Sequence, residues 1–458
     1  MNHPPRFSRR TLLQSMGRGF GSLAVAALGQ LSAAAAPRRQ KLGITHHAPH
    51  AQRVIFLYME GGPSQLDMLE HKPSLKRLAG KTVQFQEDAF LFSGRLMPSL
   101  WPFHPCATTD FYFSNLLPHL SQVSHELCLL HGMHTDSSSH DQATIMVHTG
   151  AMSEVRPSIG SWVVYGMGSE NEKLPGFVTI NPLDHLGGAQ NYSSAFLPAM
   201  YQGTRISVSG DLIPNIVNQF GDDTHQRRFL DLVQSSNANY LSRLGNAAEI
   251  EGIIQSYELA YHMQHALPQV MRLNEETAAT KQMYGITDEN PQLFSVQCLM
   301  ARRLAEAGVR FIQLTARGWD NHTELPANLP QRCRDIDQPI AALISDLRQR
   351  GMLDDTLIVW GGEFGRSAGE QNNGDGRRHQ NLGYTMFLAG GGVRGGLAFG
   401  ETDETGSRAV EGRIHTHDLH ATILHLLGLD HRRLTYRYAG RDFRLTDVYG
   451  RVVKEIIA

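Results

Sequence analysis

The feature that most constrains the fold is the alternation of short apolar segments with longer segments of helical spacing. The short segments are rich in β-branched and aromatic residues, which is typical of buried strands. They cover residues 54–59, 127–130, 311–314, 356–360 and 384–389. Segments of helical spacing lie between them, at residues 247–267, 291–307 and 340–350. Strands that alternate with helices form a mainly parallel sheet with helices on both faces, so we expect an α/β fold of this class.

The N-terminal 36 residues predict export. An arginine pair, Arg9-Arg10, precedes a mildly apolar run at about residues 19–31, and small residues follow at 32–36. These are the parts of a secretory signal, and the arginine pair indicates the twin-arginine variant. We therefore expect the twin-arginine translocase as a partner during export and a periplasmic or secreted location. A lone membrane anchor is the alternative, although the apolar run is shorter than the roughly 20 residues that span a bilayer.

The rest of the chain is expected to form one exported domain. Residues 37–52 are polar and predict a linker, and residues 53–458 predict the domain, with a loop-rich cap around 183–245. No later apolar stretch reaches spanning length, so no stable membrane span is expected after cleavage. The 42 basic and 44 acidic side chains nearly balance, which gives no overall field to attract nucleic acid. The four cysteines are widely spaced and could form zero, one or two disulfides.

Polar clusters follow the predicted strands. In parallel sheets, ligands bind beyond the carboxyl ends of the strands, so these clusters are candidates for a metal or anion site. Carboxylates and imidazoles suit divalent cations, serine hydroxyls at a helix N-terminus suit an anion, and an arginine can clamp an oxyanion. Each cluster taken alone could instead be a capping turn or a surface pair. The candidate side chains are Asp67; Ser138, Ser139 and His140; Asp320 and His322; Glu363 and Arg366; His379; and His415 and His417.

Several blocks, in order along the chain, resemble a known family. They include MEGGPSQLD, MHTDSSSHDQA, GWDNH, LDDTLIVWGGEFGR and HDLHATILHLLGLDH. Together they resemble the domain of unknown function 1501 family, often labelled sulfatase-like, over about residues 40–458. The resemblance implies an alkaline-phosphatase-like fold, in which aspartates and histidines hold one or two divalent ions and a Ser, Thr or formylglycine-forming Cys is the nucleophile.

The resemblance also suggests roles for particular residues. It implies a metal site built from Asp67, Asp320, His322, Glu363, His379 and either His415 or His417. The nucleophile is left open among Ser138, Ser139 and Thr144, and His140 could occupy the place of the hydroxyl. No Cys-x-Pro-x-Arg signature is present, so a formylglycine sulfatase is not expected. Arg378 stands where family members often carry an aspartate.

These observations predict an exported metal-dependent hydrolase of phosphate or sulfate esters. Zinc is the first candidate ion, with calcium or magnesium as alternatives. The substrate would be a small-molecule or polysaccharide ester, attacked either by a serine of the 137–139 turn or by water. The alternative is a non-catalytic exported binding protein for a glycan or a protein partner. A third hypothesis, an export chaperone or scaffold, would need no metal.

Overall fold

The structure is a computed structural model that describes residues 45–208, 213, 218, 222–244, 248–287 and 293–458. The predicted signal peptide and the first part of the predicted linker lie outside these residues. Within them, no helix combines the length and the apolar character that crossing a membrane requires. The strands are β1 Arg53–Met59, β2 Thr82–Glu87, β3 Phe90–Arg95, β4 Phe103–Pro105, β5 Tyr112–Ser114, β6 Leu127–His134, β7 Phe177–Ile180, β8 Thr204–Ile206, β9 Phe311–Ala316, β10 Thr356–Gly361, β11 Gly365–Gln371, β12 Gly376–Gln380, β13 Tyr384–Ala389, β14 Leu397–Phe399, β15 Glu401–Thr402, β16 Ala409–Glu411, β17 Ile414–His415, β18 Tyr436–Tyr438 and β19 Arg441–Phe443. The α-helices are α1 Gln65–Met68, α2 Pro73–Leu78, α3 His140–Thr149, α4 Ile159–Met167, α5 Asp223–Leu244, α6 Ala248–Val270, α7 Ala278–Met283, α8 Leu293–Glu306, α9 Leu325–Gln349 and α10 Thr416–Leu426.

A nine-stranded sheet forms the centre of the molecule. Its order is β14-β6-β13-β10-β1-β9-β7-β8, and β17 adds to the end of β6. Strand β13 runs antiparallel to both of its neighbours, and all the other pairings are parallel. The sheet is therefore mostly parallel, and helices pack on both of its faces. This arrangement confirms the predicted α/β class.

Strand β1 shows why its sequence is apolar without interruption. Ile55 and Leu57 face one core cluster, which includes residues of α8 and α9. Val54 and Phe56 face the other, which includes Trp162 of α4 and residues of α10. Because both faces of a mainly parallel sheet are covered by helices, neither set of side chains can be polar.

The parallel arrangement places several loops at one edge of the sheet. The loops that follow β1, β6, β9 and β10 leave from the carboxyl ends of strands that run in the same direction. Strand β13 runs the opposite way, so the segment that enters it, including β12, lies at this same edge. Side chains from widely separated parts of the chain can therefore meet there.

The structure differs from the sequence expectations in three places. The predicted loop-rich cap ends in a regular 22-residue helix, α5. Helix α9 begins at Leu325, well before the predicted residue 340, and continues through Pro330 and Pro339. The third difference is in β6, which continues to His134 where the sequence predicts a strand only over residues 127–130. Of the disulfide numbers that the sequence left open, the structure has zero, because all four cysteines are free: Cys106, Cys128, Cys298 and Cys333.

Candidate metal centre

Four side chains converge at the carboxyl edge of the sheet. His140, Asp320, His322 and His379 each offer one ligand atom, and these atoms all lie within 4.8 Å of one another. The Asp320 Oδ1 atom lies 3.3 Å from His140 Nε2, 3.0 Å from His322 Nε2 and 3.5 Å from His379 Nε2. The side chain of Asp320 is 42 % exposed, so the cluster is open to solvent on one side.

Each of the three imidazoles is held through its Nδ1 atom by a hydrogen-bond acceptor. A neutral histidine that donates from Nδ1 keeps a lone pair on Nε2, which is the form that binds a metal ion. Acceptors of this kind orient the ligands in protein metal sites. The three pairs are His140 Nδ1 with Glu363 Oε1 at 2.6 Å, His322 Nδ1 with Gln371 Oε1 at 2.7 Å, and His379 Nδ1 with the Ser138 carbonyl oxygen at 2.8 Å.

The donor set fits a divalent cation. The Nε2 atoms of His322 and His379 are only 2.8 Å apart, so two bare lone pairs would face each other unless a proton or a cation lay between them. The Nε2 atom of His140 is buried and has no hydrogen-bond partner in the part of the chain that the structure describes. A cation at the centre would satisfy all three nitrogens at once. Three imidazoles and one carboxylate are ligands that zinc prefers.

The charges of the cluster are strongly coupled. Burial lowers the pKa of His140, but the adjacent carboxylates of Asp320 and Glu363 more than offset this and raise it to about 9. Burial raises the pKa of Asp320, but the three histidines and Arg366 hold it well below its usual range. Burial lowers the pKa of His379. Without a cation, the site therefore holds an ionised Asp320 and a protonated His140.

Glu363, a predicted metal ligand, lies behind His140 and is not one of the four converging residues. Its side chain is fully buried. Besides His140, it accepts hydrogen bonds from the Tyr58 hydroxyl at 2.9 Å and the Gly61 N–H at 3.0 Å. With its oxygens occupied in this way, Glu363 is placed to orient His140.

Gly61 lets the loop after β1 approach the loop that carries Asp320. Its φ angle is +115°, which favours glycine. A Cβ atom at this position would lie 2.4 Å from the Asp320 backbone nitrogen and 2.8 Å from the Trp319 carbonyl carbon. The position of Asp320 in the cluster therefore depends on the absence of a side chain at residue 61.

Arg366, predicted to clamp an oxyanion, is instead committed to protein groups. It lies buried and forms an ion pair with Asp320, with 2.6 Å between Nη2 and Oδ1. It also donates to the carbonyl oxygens of Gly61, Gly62 and Arg377. Four of the five guanidinium N–H groups are thus engaged, and Arg366 balances the charge of Asp320.

Asp67, predicted to bind the cation, does not join the cluster. Its carboxylate is fully buried and forms a bidentate ion pair with Arg377, at 2.6 Å and 3.0 Å. The Ser64 hydroxyl donates to the same carboxylate at 2.6 Å. Two charges that are buried together and hydrogen-bonded satisfy each other, so this pair contributes to the support of the site.

The candidate nucleophiles differ in how free they are. The Ser138 hydroxyl donates to Asp88 at 2.7 Å, and the buried Thr144 hydroxyl bonds to that of Tyr58 at 2.9 Å. Ser139 precedes α3, is exposed, and makes no side-chain capping bond. Among the described residues its hydroxyl has no hydrogen-bond partner, so Ser139 is the freest hydroxyl beside His140.

His415 and His417, the remaining predicted ligands, lie elsewhere. His415 precedes α10, accepts the His417 N–H through Nδ1, and faces Asp136 with 3.2 Å between Nε2 and Oδ2. His417 donates through Nε2 to the Gly150 carbonyl oxygen at 2.9 Å. Neither belongs to the group of four.

Three supporting residues carried no recognisable signal in the sequence. Gln371 orients His322, Arg377 neutralises Asp67, and Tyr58 bonds to Glu363. Gln371 and Arg377 belong to β11 and β12, whose pairing register decides what they reach. In the sequence, Tyr58 fits the apolar pattern of β1. Only the hydrogen bond from its hydroxyl to Glu363 shows that it supports the site.

The family of the protein is settled by a match over nearly all of the described fold. Residues 51–457 match the model of a family described as a protein of unknown function, DUF1501. The chain belongs to the DUF1501 family. The match contains every residue of the cluster and of its supporting groups. A search of curated proteins gives no match.

Several solved structures are similar to this DUF1501 protein at low sequence identity. A lipoteichoic acid synthase from Listeria monocytogenes is 10 % identical, with a TM-score of 0.36, over 93 % of this chain and 80 % of that one. A phosphonate monoester hydrolase from Silicibacter pomeroyi is 13 % identical, with a TM-score of 0.35, over 82 % and 73 %. An alkaline phosphatase from the Antarctic bacterium TAB5 is 10 % identical, with a TM-score of 0.31, over 76 % and 94 %. At these scores the likenesses carry no inference about activity.

Proposed function

We propose that the protein is a metal-dependent hydrolase of phosphate or sulfate esters. The observation that carries this proposal is the convergence of three Nε2 atoms on the Asp320 carboxylate, each imidazole being fixed from behind through Nδ1. His140, Asp320, His322 and His379 would hold one divalent ion. Zinc is the first candidate because three nitrogens and one oxygen form the donor set. Calcium and magnesium, which prefer oxygen ligands, fit this set less well.

A bound divalent ion would polarise the ester oxygen and stabilise the charge that develops on it. The protein side chains set the charge that the substrate meets. Asp320 and Glu363 carry two negative charges against the positive charges of Arg366 and of the protonated His140, so the site without an ion is neutral. A divalent ion that displaces the His140 proton makes the site positive by one, which favours an anionic ester.

The attacking group is either Ser139 or water. Ser139 is exposed and adjoins His140, and its hydroxyl is not held by another group of the described chain. A serine nucleophile needs a base to take its proton, and none is hydrogen-bonded to Ser139 in this structure. A Ser139→Ala substitution separates the two routes, because attack by water needs no hydroxyl at this position.

Metal analysis together with ester assays tests the proposal. We expect the purified protein to bind about one ion per cluster and to hydrolyse p-nitrophenyl phosphate or p-nitrophenyl sulfate in a chelator-sensitive way. His322→Gln and His379→Gln should each lower kcat/KM on the order of 100-fold and release the ion more readily. His185→Gln is the matched control, since His185 is exposed and lies outside the cluster. Failure to bind any divalent ion would overturn the proposal.

The second candidate function is non-catalytic binding of a glycan or protein partner on the same fold. The observation in its favour is that Ser139 is not paired with a base. It predicts a bound ion without hydrolysis of either ester. The same purified protein distinguishes the two functions, because metal content and turnover are measured separately.

We propose further that the protein is exported by the twin-arginine route to the periplasm or beyond, and that its substrate is a small-molecule or polysaccharide ester. The support for export is the arginine pair and the small-residue segment at 32–36. Replacing Arg9 and Arg10 by lysines should leave the uncleaved precursor in the cytoplasm. Unchanged export of that variant would contradict the proposed route.

A further inference from the structure

A cavity lies apart from the four cluster residues, none of which lines it. It has a volume of about 840 Å³ and is bounded by the C-terminal end of α3, the start of α10 and the segment 444–451. Cavities that bind small molecules commonly measure about 300–1,000 Å³. The cavity is therefore large enough for a ligand of two or three rings.

Two guanidinium groups at the cavity wall lack a carboxylate partner. Arg156 lies over the ring of Phe443, with 4.4 Å between its central carbon and the ring centroid. Arg444 donates through Nε to the Asp447 carbonyl oxygen. Both are half-buried, and neither forms an ion pair within the described part of the chain. Unpaired guanidinium groups in a cavity favour an anionic ligand, because they can bind a carboxylate or sulfate bidentately.

The acidic side chains near the cavity are mostly occupied. Asp418 accepts the backbone N–H groups of His415 and Arg451, at 3.1 Å and 2.6 Å. Asp447 forms an ion pair with Arg441. The Asp136 carboxylate faces His415 Nε2 at 3.2 Å. These contacts leave the two arginines and Glu154 as the charged groups of the wall that a ligand can satisfy. Glu154 also lines the cavity, is exposed and forms no ion pair within the described residues.

A buried acceptor, the Nδ1 atom of His417, offers a second contact for a ligand. His417 lines the cavity and is 4 % exposed. Its Nε2–H donates to the Gly150 carbonyl oxygen, so Nδ1 carries a lone pair, and this atom is buried without a partner. Burying an unsatisfied acceptor is unfavourable. A ligand that brought a hydroxyl or N–H donor to this atom would remove that cost, and the two arginines would hold its negative charge.

Aromatic and apolar groups form the remaining wall and the rim. Trp162 and Phe196 line the cavity. At the rim, Tyr449 is 62 % exposed and Val448 is 69 % exposed. The Tyr449 ring stacks on His417 with 5.1 Å between the centroids, so it is held in place. An exposed, fixed aromatic face beside polar groups suits a ligand with a ring that has one apolar face.

We propose that this cavity binds an acidic saccharide, with its carboxylate or sulfate on Arg156 and Arg444 and a hydroxyl donated to His417 Nδ1. A sugar ring supplies the hydroxyl donors and an apolar face, and the acidic substituent supplies the charge. This site is separate from the metal cluster and does not depend on the proposed hydrolysis.

Calorimetric titration of the full-length protein tests the proposal. The probes are tri-galacturonate, sulfated maltotriose and neutral maltotriose, all with chelator present so that the metal cluster takes no part. We expect one or both anionic probes to bind and the neutral probe to bind about tenfold more weakly or not at all. The two anionic probes distinguish a carboxylate ligand from a sulfate ligand. Absence of binding by both at millimolar concentration overturns the proposal.

Variants locate the binding. Arg156→Gln, Arg444→Gln and His417→Phe should each weaken the anionic probe by about tenfold, because each removes one of the contacts described. Arg437→Gln is the control, since Arg437 is exposed, pairs with Asp442 and does not line the cavity. Circular dichroism and thermal melting show whether each variant is folded. If one is not, it is replaced by Tyr449→Ala, because Tyr449 is exposed and its truncation should leave the fold intact. Unchanged affinity in all the folded cavity variants overturns the proposal, whatever the ester assays show.

Discussion

Glu363→Gln gives the sharpest test of the proposed metal centre, because it removes a charge without removing volume. The Glu363 carboxylate accepts hydrogen bonds from His140, Tyr58 and Gly61. Glutamine keeps one oxygen for His140 and Gly61. Its amide can donate to Tyr58, whose hydroxyl can turn to donate to Thr144, 2.9 Å away. The side chain can therefore still be accommodated, and what is lost is the negative charge behind His140.

The expected magnitude follows from the geometry. A hydrogen bond to a charged group contributes roughly 1.5–3 kcal/mol, and a neutral one about 1 kcal/mol, so the free energy of unfolding should fall by about 0.5–2 kcal/mol. Loss of a group that orients a metal ligand lowers metal affinity about 10- to 100-fold, which corresponds to about 1.4–2.7 kcal/mol. The metal affinity should therefore fall while the protein stays folded.

Competition with a chromophoric zinc chelator measures the affinity. The assay should be run at about pH 9.5, above the pKa of His140, so that the His140 proton competes little with the ion. Glu404→Gln is the control, because Glu404 is exposed and pairs with Arg77 away from the cluster. A folded Glu363→Gln protein with wild-type zinc affinity would refute the orienting role of Glu363.

Three further substitutions test other parts of the structure. Gly61→Ala should lower both the melting temperature and the metal content, because its Cβ atom would overlap the Asp320 backbone; full metal content would contradict this account. Arg377→Gln leaves Asp67 buried and unpaired, so denaturant unfolding should show a loss of about 3–5 kcal/mol. The fraction that remains folded should still bind the ion, since Asp67 is not a ligand in this arrangement. Burial lowers the pKa of His148 from 6.5 to about 4. As the pH falls from 6.5 to 4, the unfolded chain therefore takes up a proton that the folded protein does not, and stability should fall by up to about 3 kcal/mol. His148→Gln should reduce this pH dependence in urea unfolding, and an identical dependence would refute it.

The sequence predicted the main strands because their chemistry is local. Strands β1 and β10 are mainly continuous apolar runs, and β9 is apolar except at Gln313 and Thr315. The bounds of all three nearly match the prediction. Helix α9 was recognised only in its C-terminal half, because Pro330 and Pro339 interrupt the helical pattern. Tertiary packing of its apolar face keeps the helix continuous through both prolines. The antiparallel direction of β13 left no local signal, since direction depends on its partners.

The sequence indicated site residues through their positions near the ends of predicted strands. Asp320, His322 and His379 were expected to converge, and the structure brings them together. His140 was expected in the place of the nucleophilic hydroxyl and lies among the candidate metal ligands instead. Asp67 was misplaced because its partner, Arg377, lies 310 residues further along the chain. No local pattern indicates whether a buried carboxylate will bind a metal ion or pair with an arginine.

The place of β1 in the sheet has a consequence for how the chain is made. Its neighbours on the two sides are β9 and β10, so Val54 pairs with Phe311 and with Leu357. After β1 leaves the ribosome, about 250 further residues must therefore be made before either of its edges can be covered. Until then its apolar side chains stay exposed to solvent and to chaperones, and long-range pairing of this kind makes folding slow. Slow maturation of the nascent chain follows from the strand order itself.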